Sequence, residues 1–327
     1  MKTRRILSLV LFLLFLASCA GNAPNTEEPP PPLIRVGFSQ VGSESDWRLA
    51  NTKSMTNALS EENGFELLFD NARQKQENQF LAIRNFIQQE VDYIVIAPIS
   101  EYGWDSVLTE ARDAGIPVII MDRMIETDDD GLYTAYIDAD FLAEGRRAGE
   151  YLIQKADAMG AERLNVVEIT GTEESTPMRE RQAGFMQAIA GDDRFAVIES
   201  VSGDFLRSKG EECMRYLLDR YGEEGIDVVY SHNDEMTLGA LDVLERAGLN
   251  PGKDVVLISV DGQQEAVDAL KEGRINCIVE CTPDLGERVM AMVDALSRGE
   301  AIPKQNHPEE TCFTEFDDLS GLAPRGY

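Results

Sequence analysis

From residue 34 onward, short apolar runs rich in β-branched residues alternate with longer stretches of helical period. The runs 34–38, 93–97, 118–121, 165–169, 227–230 and 255–260 are too short for helices and are bounded by turn-forming residues. Such runs mark parallel strands buried on both faces. Residues 65–69, 133–137, 195–201 and 275–280 bring the set to ten predicted strands. Between them Phe80, Ile83 and Ile87, then Val107, Leu108 and Ala111, then Met236, Leu238, Leu241 and Leu244 fall on single helical faces. Strand and helix alternate, so the class is α/β with parallel sheets. The strand pattern restarts after a long helical stretch around 143–155, which divides the ten into two groups of five. That predicts two similar doubly wound domains facing each other.

The N-terminal residues break this rhythm. Lys2, Arg4 and Arg5 precede an apolar run at 6–16 interrupted only by Ser8, too short to span a bilayer and shaped like a signal peptide. The run ends in Leu16, Ala17, Ser18 and Cys19, which resembles the lipobox of bacterial lipoproteins. The resemblance implies cleavage of 1–18 and lipidation of Cys19. The following stretch to residue 33 is Pro-rich, with Glu27, Glu28 and prolines at 29–32, and reads as an extended, solvated, lipidated linker over 19–33. An extracytoplasmic protein tethered to a bacterial membrane is expected.

Composition narrows the partners. The 327 residues carry 59 acidic and 30 basic side chains, a net charge of −29, which excludes broad nucleic-acid binding. At 43% hydrophobic the chain is no disordered acidic tail. Cysteines at 19, 213, 277, 281 and 312 are too scattered for a disulfide scaffold, and two histidines offer little for zinc. After export, Cys277 and Cys281 either stay buried as thiols or pair with Cys213 or Cys312; spacing leaves this open. Glu126, Asp128, Asp130 and Gly131 begin like a calcium loop, but Ile137 stands where the bidentate glutamate belongs. No metal and no cofactor is expected. Neither a P-loop nor a Gly-x-Ser-x-Gly elbow is present, so nucleotide hydrolysis and serine hydrolase chemistry are set aside.

In open parallel sheets ligands bind beyond the carboxyl ends of the strands. Those ends carry Ser39 and Gln40, Asp122 and Arg123, Gly171 and Thr172, His232 to Asp234, and Asp261. The segments VGFSQVGSESDWR (36–48), QKQENQ (74–79), MDR (121–123), SGDFLRSKG (202–210) and HNDEM (232–236) together resemble the periplasmic sugar-binding proteins of ABC transporters. Within the ribose/galactose-type family, the galactofuranose binders are the most similar. The likeness runs from about residue 34 to 283. It implies two Rossmann-like lobes joined by three crossing strands that close like a hinge, crossing near Ile137, Cys281 and Phe313. The implied partition is 34–137 plus 281–312 for the N-terminal lobe and 138–280 plus 313–327 for the C-terminal lobe.

A sugar offers an apolar ring face and a ring of hydroxyls, so its site needs an aromatic platform and polar groups that donate and accept. Trp47 supplies the platform, and Asp122 with Arg123 gives paired hydrogen bonds. Ser39, Glu44 and Arg48 complete the first-lobe set. In the second lobe the resemblance implies Arg179, Phe205, Asn233, Asp261 and Glu280; galactofuranose binders keep an arginine at position 181. Ala97 and Pro98 replace the asparagine of ribose binders, which argues against ribose. The arginine beside Asp122 favours an ionised carboxylate, suited to binding rather than to general-acid cleavage. The expected function is therefore capture of a monosaccharide without chemistry, by a monomer that delivers it to an ABC transporter permease. A sugar-sensing receptor for a histidine kinase or chemoreceptor, and a glycoside-processing enzyme, are the alternatives.

Overall fold

The computed structural model describes residues 32–327; the leader, Cys19 and nearly all of the Pro-rich linker lie outside the described residues. In chain order the strands are β1 (Ile34–Gln40), β2 (Phe65–Asn71), β3 (Tyr93–Ile96), β4 (Val118–Met121), β5 (Ala135–Ile137), β6 (Leu164–Thr170), β7 (Phe195–Ser202), β8 (Val228–Ser231), β9 (Val256–Asp261), β10 (Cys277–Glu280), β11 (Gln305–Asn306) and β12 (Cys312–Thr314). The helices are α1 (Asp46–Ala58), α2 (Gln76–Gln88), α3 (Asp105–Asp113), α4 (Phe141–Met159), α5 (Thr176–Ile189), α6 (Arg207–Tyr221), α7 (Asp234–Arg246), α8 (Gln264–Lys271) and α9 (Gly286–Ser297).

The strands form two six-stranded sheets, ordered β11-β5-β4-β3-β1-β2 and β12-β10-β9-β8-β6-β7. The first is wholly parallel; in the second only the β10–β12 pairing is antiparallel. Each predicted group of five thus gains one very short edge strand, β11 or β12. Those two strands trade places late in the chain, since β11 joins the first sheet and β12 the second. The chain passes between lobes three times, at 138–140, 281–285 and 307–311.

Both faces of each sheet are covered. Val36, Phe38 and Val95 pack on one side of the first sheet and Ile94, Ile96 and Ile120 on the other, which is why these strands read as unbroken apolar runs. In the second lobe α4 lies directly on α5 at two glycines. A Cβ at Gly145 would meet the Arg181 carbonyl oxygen at 2.0 Å, and one at Gly184 would meet that of Leu142 at 2.1 Å. This contact sets the rotation of α5.

Cys213, Cys277 and Cys281 are buried thiols and Cys312 is half-buried. Cys277 and Cys312 place their Sγ atoms 3.5 Å apart across β10 and β12, whereas Cys213 packs in a different cluster. In the acidic loop, Asp129 accepts from the Gly131 amide at 2.9 Å and from Arg112 at 2.8 Å. No helix among the described residues is long and apolar enough to cross a membrane.

Candidate functional site

A cavity of about 30 Å³ lies between the lobes. Glu44, Ser45, Trp47, Arg48, Asp122 and Arg123 line it from the first lobe. Pro177, Arg181, Phe205, Asn233 and Asp261 line it from the second, and Cys281 from the middle passage. These residues follow the carboxyl ends of β1, β4, β6, β7, β8, β9 and β10, the edge where parallel sheets take ligands.

On the first-lobe side Ser45 caps α1 by accepting from the Arg48 amide at 3.1 Å, which delivers Trp47 and Arg48 in the first helical turn. The Arg48 guanidinium is buried with three acceptors, Glu44 at 2.8 Å, Gln40 at 3.1 Å and Asp122 at 2.7 Å. Burial alone would lower its pKa, but Asp122 and Glu44 outweigh this and raise it. Arg48 also lies 4.8 Å over the Trp47 ring. The Trp47 indole N–H donates to the Cys281 carbonyl at 2.7 Å. Arg123 holds the Ile99 carbonyl at 3.1 Å and reaches across to the Phe205 ring at 5.3 Å. Its pKa is pushed down to about 10, by burial and then by Arg48. Arg123 Nε and Glu44 Oε2 are buried with no hydrogen-bond partner among the described residues. One donor and one acceptor thus stand ready for a ligand that can serve both.

On the second-lobe side Arg181 is buried. Its Nε donates to Glu144 at 2.7 Å and its Nη1 to the His232 carbonyl at 2.6 Å. Burial opposes its charge, but Glu144 raises its pKa. Asn233 caps α7, accepting from the Met236 amide at 3.0 Å and donating to the Phe205 carbonyl at 3.2 Å. Asp234 is wholly structural: its carboxylate takes Ser259 at 2.5 Å and the Gly262 and Gln263 amides at 2.7 Å each. Burial, then Asp234, holds the Asp261 carboxyl well above the usual range. Asp122, Phe205 and Asp261 have φ of 66°, 62° and 121°. Three cavity-lining residues therefore sit in backbone that L-residues rarely adopt, a strain that clusters at functional sites.

The cavity gathers Glu44, Trp47, Arg48, Asp122, Arg123, Phe205, Asn233 and Asp261 of the sequence-derived set, and its lining leaves out Ser39, Arg179 and Glu280. Ser39 is fully buried within β1; the next residue, Gln40, reaches Arg48, and neighbours on a strand point to opposite faces. Glu280 ends β10 and pairs with Arg325, while Cys281, one residue on, faces the cavity. Arg179 and Arg181 are two positions apart on α5, about 200° around a helix, so Arg181 shares the inner face with Pro177 and Arg179 points out. Arg179 instead bonds Glu101 across the cleft at 2.9 Å. Ser45, Pro177, Arg181 and Cys281 are the lining residues outside that set.

Other contacts close the cleft edge. The Glu101 amide donates to the Glu174 carbonyl at 3.1 Å, the Met124 amide to Thr176 at 2.9 Å and the Asp46 amide to Glu235 at 3.3 Å. Each joins one lobe to the other, so this is a closed arrangement.

A family model for the periplasmic binding protein domain matches residues 36–301, and the chain belongs to that family, with the two-lobed fold of its type I members. It is 38% identical over 293 residues to the galactofuranose-binding protein YtfQ of Escherichia coli (strain K12), covering 89% of this chain and 91% of that protein. Among solved structures, the periplasmic component of the arabinose ABC transporter from Shewanella sp. ANA-3, bound to α- and β-L-arabinofuranose, is 41% identical. Its TM-score is 0.82, with 86% of this chain and 92% of that one covered. A Mycobacterium smegmatis protein in complex with β-D-fucofuranose is 40% identical with a TM-score of 0.84, covering 88% and 94%.

Proposed function

We propose that this protein is an extracytoplasmic, lipid-anchored binding protein that captures a monosaccharide in its furanose form and delivers it to an ABC transporter permease. Galactofuranose or a related aldose is the intended ligand. The observation that carries this reading is the interlobe cavity, in which buried arginines and carboxylates from both lobes face one another beyond the strand ends. The relatives named above bind arabinofuranose, fucofuranose and galactofuranose, three five-membered rings, which supports the furanose form over the pyranose.

In this reading 34–137 with 281–311, and 138–280 with 312–327, move as two bodies, the last boundary lying one residue earlier than expected because Cys312 already pairs with β10. The open first lobe receives the sugar against Trp47, Arg48, Asp122 and Arg123; closure adds Arg181, Phe205, Asn233 and Asp261. Sugar favours the closed form only by the contacts it makes there and not in the open one. The reading assigns no chemical step.

The test is a thermal-shift panel of D-galactose, L-arabinose, D-fucose, D-ribose and D-fructose on the body from Leu33 onward. A ligand at about 100 times its Kd adds about 2.7 kcal/mol, a shift of several degrees. A shift with the first three and none with ribose is expected. Absence of any shift overturns the sugar reading.

A further inference from the structure

The three passages between the lobes converge on one carboxyl pair, Glu144 buried and Glu310 half-buried. Glu144 stands on α4 just after the first passage and is fully buried. Its Oε2 accepts from Arg181 Nε at 2.7 Å, while its Oε1 has no hydrogen-bond partner among the described residues. Glu310 stands on the third passage and accepts from the Thr282 amide, on the second, at 2.8 Å. A carboxylate oxygen of Glu144, one of Glu310 and the Cys281 Sγ all lie within 4.8 Å of one another. Two ionised carboxylates this close and this buried repel strongly, so a shared proton is the stable state.

We propose that Glu310 is a positioning residue for the ligand site: carrying one proton, it donates to the open oxygen of Glu144 and thereby fixes the carboxylate that aims Arg181 into the cavity. The proposal rests on the binding function proposed above. Its geometry makes the aim of Arg181 depend on all three passages at once, because Glu310 is itself held by Thr282 and Glu144 follows the first passage. A correctly aimed guanidinium then exists only when the hinge segments are in register.

The surrounding charges agree. Glu144 faces Glu310 from α4, Arg181 from α5, and the Cys281 thiol from the second passage. Asp261 at the end of β9 and His232 before α7 lie next out. Burial first, then Glu144, pushes the Glu310 pKa up to about 9, and burial holds Cys281 as a neutral thiol. With Glu310 protonated, Glu144 and Arg181 balance as one ion pair. Losing that proton adds a second negative charge that competes for the guanidinium.

The experiment compares Glu310→Gln and Glu310→Ala with the wild type, using D-galactose, L-arabinose and D-fucose as probes. Glutamine keeps both a donor for Glu144 and an acceptor for Thr282; alanine keeps neither. At pH 7 Glu310→Ala should lose about tenfold or more in affinity, the scale of one hydrogen bond to a charged group, and Glu310→Gln should restore it. Between pH 7 and 9 wild-type affinity should fall more steeply than that of Glu310→Gln. A glutamine variant as weak as alanine, or one with the wild-type pH profile, overturns the proposal. A ligand-free readout separates this from failure of the sugar reading. The folded state keeps a proton that the unfolded chain releases above the ordinary glutamate value, so the wild type should lose Tm relative to Glu310→Gln as pH rises from 5 to 9, whatever the other groups do. Equal slopes overturn the shared proton even if no probe binds.

Discussion

The indole Nε1 of Trp47 donates a 2.7 Å hydrogen bond to the carbonyl oxygen of Cys281, joining the first turn of α1 to the middle passage between the lobes. Asn51, one helical turn on, donates to the Pro283 carbonyl at 3.0 Å on the same passage. The aromatic wall of the cavity is therefore also an anchor of the hinge, and its two roles can be separated by substitution.

Trp47→Phe keeps a ring and removes the donor. The Cys281 carbonyl is left buried without its partner, at a cost of about 1–3 kcal/mol. Urea unfolding should show that loss, and sugar titration should show weakened but retained binding. A variant with wild-type stability means that the hinge does not depend on this bond.

Arg181→Met leaves Glu144 buried without its cation, which costs about 3–5 kcal/mol. Adding Glu144→Leu should recover most of that stability, while sugar binding stays absent in both variants. Recovery of binding in the double variant would remove Arg181 from the site.

Arg179→Ala provides the contrast. Its side chain is 56% exposed but that of its partner Glu101 only 4%, so removal leaves a buried carboxylate without its cation and should cost about 1–3 kcal/mol, less than the loss at Arg181. Because that pair spans the cleft edge, the sugar should leave faster and affinity should fall by less than about tenfold. Stopped-flow release rates check this; a complete loss of binding would place Arg179 on the ligand itself.

Gly171→Ala tests the seat of Phe205. A Cβ at Gly171 would stand 1.9 Å from the Phe205 Cζ, so the ring must shift, with an overpacking cost of about 1–3 kcal/mol. Affinity should fall although position 171 is not among the cavity-lining residues. Adding Phe205→Leu should recover stability but not affinity.

Acid should weaken the second lobe through His232, whose Nε2 lies 3.0 Å from Glu168 while its Nδ1 has no hydrogen-bond partner among the described residues. Burial lowers the His232 pKa below its ordinary 6.5, with Glu168 opposing. The unfolded chain then binds more protons near and below that value, so stability rises with pH there and is lost as pH falls. Burial would raise the Glu168 pKa, but His232 lowers it below the ordinary value, and this acts in the same direction. Calorimetry from pH 7.5 to 5 should show Tm falling in the wild type and falling less in His232→Gln. An unchanged slope assigns the acid limb to other groups.

Much of the scaffold was legible because strands covered on both faces have no choice but to be apolar: 93–97 and 118–121 could hardly be anything else. β11 and β12 were not legible, since pairings of two or three residues at a sheet edge leave no periodicity. In the site, polar residues just past strand ends were readable because backbone direction alone puts them at the cleft. Helical phase was not. Whether Arg179 or Arg181 faces inward is decided by the contact of Gly145 and Gly184, residues from different helices whose meeting no local pattern announces. Cys281 was missed for another reason: it borders the cavity as a small apolar surface, and its chemistry gives no signal.

The backbone at Asp122, Phe205 and Asp261 also constrains how this cleft can change. With φ above zero at all three, valine, isoleucine and threonine are effectively barred there, and asparagine is the readiest replacement for either aspartate. A lineage or a substitution library seeking a different cargo is thus steered away from the strand ends and toward positions in ordinary backbone, such as Glu44, Ser45 and Pro177. The recognition residues drawn from strained positions form the heritable part of the site, and the entry loop and the start of α5 form the part free to drift.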